Sequence, residues 1–161
     1  MWGASVNEMS ARLEKLEKNI EALVFIRLWK VFASDEMTEA DDWVMDNFSA
    51  RTLEESRAKY PRGSTEARHR DLVASFWELC GYLVATGRLD EESFVEVFGG
   101  HPRTRWKVYR PLLKSARSES GRPEARQRGH YFEWLAGRCE ELTSMKPIDD
   151  HDGEESSEHD R

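Results

Sequence analysis

The chain has 161 residues, 39% of them hydrophobic and 34% charged, with a formal charge of -7. That length buries a core without disulfide or metal support, and that composition excludes a disordered chain. The longest uninterrupted apolar run, Ala22 to Ile26, falls far short of the roughly 20 residues that span a bilayer, which excludes a transmembrane helix.

From Met1 to Ala33 the chain follows a heptad register. With Val6, Leu13 and Ile20 at a, the d positions are Trp2, Met9, Leu16 and Leu23, and no polar residue enters the seam. Arg12 then falls at g and Glu17 at the following e, the pair that meets across a parallel two-stranded interface. Branched residues at a with leucine common at d favour two strands over three. About three heptads are present, so two packings stand side by side: the stripe covers the chain's own helices, or it joins a second copy or a partner helix. Beyond Leu23 the apolar positions Val24, Phe25, Leu28, Trp29, Val31 and Phe32 spread over more than one stripe, which predicts burial of this end in the main domain.

Ser34 and Asp35 are read as the end of this helix. Thr38 with Asp41 three residues later resembles a capping box opening the next. Trp43, Val44 and Phe48 mark its apolar face, and Asp35, Glu36, Glu39, Asp41, Asp42 and Asp46 crowd its front. Acids at a helix start are stabilised by the helix dipole, and without the glycine and ligand spacing of a calcium loop no metal site is expected there.

A short helix is predicted from Arg51 to Tyr60, closed by Pro61 to Gly63. Ser64 then caps a long helix from Thr65 to Thr86, with Leu72, Phe76, Leu79, Cys80 and Leu83 on one face and Val73, Trp77 and Val84 on the adjoining one. Gly87 ends it in the left-handed conformation, and Asp90 caps the helix from Glu91 to Phe98. Its successor follows Gly99 and Gly100 and must kink if it passes Pro111. Along it Trp106, Tyr109, Leu113 and Ala116 form an apolar stripe, flanked by the cations Arg103, Lys107, Arg110, Lys114 and Arg117. A last helix aligns Phe132, Leu135, Ala136, Cys139 and Leu142, with Gly129 and Gly137 weakening it unless close packing needs them. After Pro147 almost no apolar residue remains, so the acidic tail is expected to be disordered.

Together these readings predict an all-α irregular bundle in three parts: a heptad helix over residues 1–33, a bundle domain over 34–145 and an acidic tail over 146–161. The stretch from Phe76 to Glu141 resembles an uncharacterised bacterial family of small all-helical domains. The resemblance is carried by FWELCGYLVATGRLDEESFVEVFG, the helix bearing Trp106 and the aromatic helix at Tyr131 to Leu135. It implies no assigned activity and, in many members, an N-terminal membrane anchor; here the heptad helix stands in that place.

Catalytic signatures are missing from the sequence. Gly99 and Gly100 lack the lysine and spacing of a phosphate loop, there is no GxSxG elbow or HExxH pair, and Cys80 and Cys139 make no CxxC. Both cysteines sit among apolar residues, as buried free thiols do. Without a secretory signal or a glycine after Met1, the expected location is the cytoplasm. The expectation is therefore a non-enzymatic assembly or adaptor module with no cofactor. It would self-associate, a dimer being favoured, through Trp2, Val6, Met9, Leu13, Leu16, Ile20 and Leu23.

The alternative uses charge. Residues 99–128 carry nine bases against two acids, whereas residues 149–161 carry seven acids against one base. Arg103, Lys107, Arg110, Lys114 and Arg117 on one helix face suit phosphates, and their place after a glycine turn invites comparison with a helix-turn-helix reader of nucleic acid. No set of base-reading side chains accompanies them. The acidic tail is a competing, internal occupant for the same ridge.

Overall fold

The computed structural model describes residues 2–119 and 127–145, with their side chains from Val6 to Ser144. Seven helices and no strand are present among the described residues: α1 (Trp2–Phe32), α2 (Asp35–Asn47), α3 (Leu53–Lys59), α4 (Thr65–Ala85), α5 (Glu91–Phe98), α6 (His101–Glu119) and α7 (His130–Met145). The predicted all-α class holds. The acidic tail, residues 146–161, lies outside the described residues, as does the side chain of Trp2.

Local chemistry sets most boundaries. Thr52, Ser64 and Asp90 have extended backbone and accept from the amides of Glu55, Ala67 and Ser93 at 3.1, 3.1 and 2.9 Å, which satisfies donors that a helix start leaves orphaned. The start of α2 differs from the capping box expected at Thr38. Ser34 is the cap, accepting from the Met37 amide at 3.2 Å, so α2 begins one turn earlier. At the end of α4, Gly87 has φ +69°, its amide donates to the Val84 carbonyl and the Arg88 amide to the Leu83 carbonyl. This is the Schellman arrangement, and it fits the left-handed glycine expected there.

The core is aromatic and centred on α4, which packs against α2 and α7, while α6 lies across α7, α3 and α2. Trp77 is fully buried, meets Phe76 and Phe98 edge-on and stacks on Phe132. Rings with such offset and edge-to-face contacts add about 0.5–1.5 kcal/mol per pair beyond their burial. The buried face of α4 runs through Val73, Phe76, Trp77, Cys80, Gly81 and Val84. Leu79, placed on the apolar face by its spacing, is instead 49% exposed, because the stripe predicted as adjoining is the one that meets α2 and α7. Both cysteines are free and buried; burial raises each thiol, that of Cys139 to about 11, so neither is a thiolate near neutral pH.

α1 is held only at its C-terminal end. Leu28 is buried, Val24 and Phe25 pack against the core, and Phe32 enters it, stacking on Phe76 and meeting Phe98 and Trp77 edge-on. The Glu21 carboxylate also accepts from the Asp90 amide, tying α1 to the start of α5. N-terminal to Glu21, every described side chain from Val6 to Ile20 is exposed. These 15 residues form an arm of roughly 22 Å at 1.5 Å per residue.

Candidate functional site

The arm carries the predicted seam. Val6, Met9, Leu13, Leu16, Ile20 and Leu23 are 52–61% exposed in the single chain, aligned at alternating steps of three and four along α1. Flanking positions are charged and internally paired: Arg12 binds Glu8 at 2.6 Å and Lys18 binds Glu14 at 3.0 Å, each one turn apart. Among the described residues the seam positions from Val6 to Leu23 are therefore not covered by the chain's own bundle, the first of the two packings the heptads left open.

The basic ridge is only partly a free surface. α6 runs through Pro111 as one helix, and the proline is exposed, so its ring lies at the surface rather than in the core. The buried stripe is Pro102, Trp106, Tyr109, Leu112 and Ala116, with Leu113 half-buried in place of the predicted full burial. Lys107, Arg110 and Lys114 are exposed and have no hydrogen-bond or ion-pair partner among the described residues. Arg117 is engaged: its guanidinium binds Glu133 at 2.5 Å, donates to the Arg128 carbonyl at 2.9 Å and lies over the Trp106 ring. Arg103 is half-buried, with its Nε in the interior and without a partner there. Three of the five predicted anion-binding cations thus remain open to a ligand from solvent.

Arg105 was no part of that ridge and has a structural task. It binds Asp41 of α2 through two nitrogens, one at 3.0 Å, with 15% and 12% of the two side chains exposed. Breaking such a low-exposure pair from one side costs about 3–5 kcal/mol. The acids at the front of α2 looked like a dipole-stabilised row, and spacing alone gave no sign that one of them faces inward. Beside this pair His101 meets the Phe32 ring edge-on at 5.2 Å. Burial and then the charge of Arg105 hold its imidazole below the ordinary value, against the opposing pull of Asp41.

Sequence reasoning also missed a groove of about 970 Å³ between α3, α4, α6 and the start of α7. Its floor includes Ala67, Ala74, Tyr109, Leu112 and Phe132, and its rim includes Arg57, Arg62, Arg68 and Arg128. The Glu78 carboxylate at its edge accepts from the amides of Tyr131 and Phe132 at 3.3 and 2.8 Å and so caps α7. The rim arginines come from separate elements, which is why no local charge run announced them.

These surfaces define a helical bundle with a projecting apolar arm and separate basic faces. The chain belongs to the family described as Domain of unknown function (DUF4760), whose model matches residues 19–139. The match reaches further toward the N-terminus than the Phe76 to Glu141 resemblance; Ile20 and Leu23 fall inside it, while Val6, Met9, Leu13 and Leu16 precede it. No curated protein and no solved structure matches the chain. Among the described residues no helix is long and apolar enough to cross a membrane.

Proposed function

We propose that the protein is a non-enzymatic, cytoplasmic assembly module that pairs with a second copy as a parallel two-stranded coiled coil through Trp2, Val6, Met9, Leu13, Leu16, Ile20 and Leu23. One observation carries this reading: six consecutive a and d side chains, Val6 to Leu23, are more than half exposed, five of them on an arm whose described side chains are all exposed. Contiguous exposed apolar surface of this kind marks an interaction site, and a narrow a/d stripe fits the facing helix of a coiled coil. The parallel orientation follows from charge, since it sets Arg12 of each strand against Glu17 of the other. An antiparallel pair sets g against g and e against e and forms no such contact.

Molar mass by sedimentation equilibrium tests the reading. Burying the exposed half of each leucine contributes on the order of 1 kcal/mol. Replacing Leu13 and Leu16 by lysine therefore costs about 4 kcal/mol per dimer, roughly a thousandfold in Kd. The variant is expected to be monomeric with the bundle's helicity retained. An unmutated protein that stays monomeric at the highest concentration reached rejects the proposal.

The second reading, polyanion or nucleic-acid binding, is favoured by the three open cations Lys107, Arg110 and Lys114 on one exposed stripe. Neutralising three phosphates gives a log–log salt slope of about -3 with duplex DNA, and replacing the three residues by glutamine abolishes it. Duplex binding that is negligible even at low salt removes this reading.

A further inference from the structure

We infer that the groove between α3, α4 and α6 is a docking site for the chain's own acidic C-terminal segment, residues 152–160. The groove has a one-sided charge. Arg57, Arg62, Arg68 and Arg128 are exposed on its rim, and none of them pairs with a carboxylate among the described residues; Arg68 reaches only the Thr65 hydroxyl, at 3.2 Å. The two acids lining it are engaged, Asp71 with Arg70 at 2.8 Å and Glu78 with the first amides of α7. The groove is thus a concave, partly apolar surface with four uncompensated guanidinium groups, and clefts of one sign with low-dielectric walls focus their field on an incoming anion. Guanidinium groups also pair carboxylates with two parallel donors, which a lysine rim does not offer.

The tail fits in charge and in reach. From Phe132, which lines the groove, to Met145 at the end of α7 is 13 residues, roughly 20 Å of helix. A chain extending about 3.4 Å per residue covers that distance in about six residues, up to residue 151. Asp152, Glu154, Glu155, Glu158 and Asp160 then lie within range of the rim. Each exposed pair is weak, but a tethered segment acts at an effective concentration in the millimolar range, so weak pairs suffice.

The ridge on α6 is the poorer acceptor. Arg117 already holds Glu133 and Arg103 is half-buried. At 100° per residue, Lys107, Arg110 and Lys114 also lie roughly 160° around α6 from Tyr109, Leu112 and Ala116, which line the groove. One short segment cannot cover both faces.

Amide NMR of the full-length protein tests this, with a synthetic peptide of residues 146–161 as the undocked reference. Tail amides are expected to differ from the peptide in the unmutated protein and to match it in 1 M salt. They should also match it in the Arg57→Glu, Arg62→Glu, Arg68→Glu variant, and should keep their docked shifts in the Lys107→Glu, Arg110→Glu, Lys114→Glu variant. A complementary variant, Asp152→Asn with Glu154→Gln and Glu155→Gln, leaves the bundle untouched and should move the amides of Gly63, Ala67 and Gly129. Tail shifts equal to those of the peptide, loss in the α6 variant only, or stationary groove amides in the tail variant overturn the inference. So does a perturbation that grows with protein concentration, which places the tail in a neighbour's groove.

Discussion

Gly81 of α4 packs directly against the backbone at the start of α7. A methyl group there would overlap the backbone carbonyl of Tyr131, lying 2.6 Å from its carbon, and neither backbone can yield without shifting a helix. Overpacking of this kind costs about 1–3 kcal/mol, so Gly81→Ala is expected to lower the denaturation midpoint accordingly. Gly137 gives the opposite outcome. It is exposed, helical and has no atom within 4 Å of the added carbon, so Gly137→Ala should stabilise by about 1 kcal/mol in the same measurement. The sequence marks Gly137 and Gly129 as the helix-weakening glycines. Gly129 does need its missing side chain, with φ +67° and the Leu113 Cδ1 2.6 Å from an added carbon; Gly81, whose partner is 50 residues away, is the close contact that no local pattern reveals.

His101 adds a pH dependence at the same scale. Its folded-state imidazole is held below the ordinary 6.5, chiefly by burial and next by Arg105. The neutral form is therefore the one the fold favours. Its contribution to stability is complete above pH 6.5 and is lost as the pH falls from there through the lowered folded value. Asp90 and Glu91, held below their ordinary values by hydrogen bonds from Ser93 and Arg138, begin to lose theirs only below about 4.5, so the loss due to His101 begins at higher pH than theirs. Urea midpoints measured from pH 7.5 to 5 should decline in the unmutated protein and stay level in His101→Phe; an equal decline in both assigns the loss to other groups.

At the scale of elements, helix ends were legible because their determinants are local. Ser64, Asp90 and Gly87 act within four residues of the position they punctuate, and each does what its spacing implies. Ser34 was misread because a serine that can end one helix can equally cap the next, and the short α1–α2 connection leaves it to do both: its hydroxyl donates to the Val31 carbonyl at 2.7 Å and accepts from the Met37 amide. For α1, the helix and its apolar stripe were legible while the surface that covers the stripe was not, since a/d periodicity is satisfied by any apolar surface. In the proposed parallel pairing, Arg12→Glu places like charges together twice per dimer and should raise Kd by about two- to thirtyfold, taking roughly 0.2–1 kcal/mol per lost pair. Adding Glu17→Arg should restore it. A double variant as weak as the single one points to an antiparallel pair or to a different partner.

Across the whole molecule, what the sequence left hidden is what depends on juxtaposing distant segments. The Asp41–Arg105 pair joins α2 to α6, Glu78 of α4 caps α7, and the groove's arginines come from α3, α4 and two connections. The charge runs on α6 and in the tail were visible, but the folding of Arg117 onto Glu133 was not, and it alters which basic surface is open. Apolar and ionic associations can then be separated by salt. The seam has no polar residue and depends on apolar burial, which salt does not screen; the exposed arginine and lysine faces act over a Debye length of about 10 Å at 0.1 M and 3 Å at 1 M. Raising salt from 0.05 to 1 M should leave the molar mass of the proposed dimer unchanged while it abolishes any duplex binding at Lys107, Arg110 and Lys114. A mass that falls to that of the monomer over the same range would instead assign the assembly to the charged faces and leave the arm's apolar stripe without its proposed role.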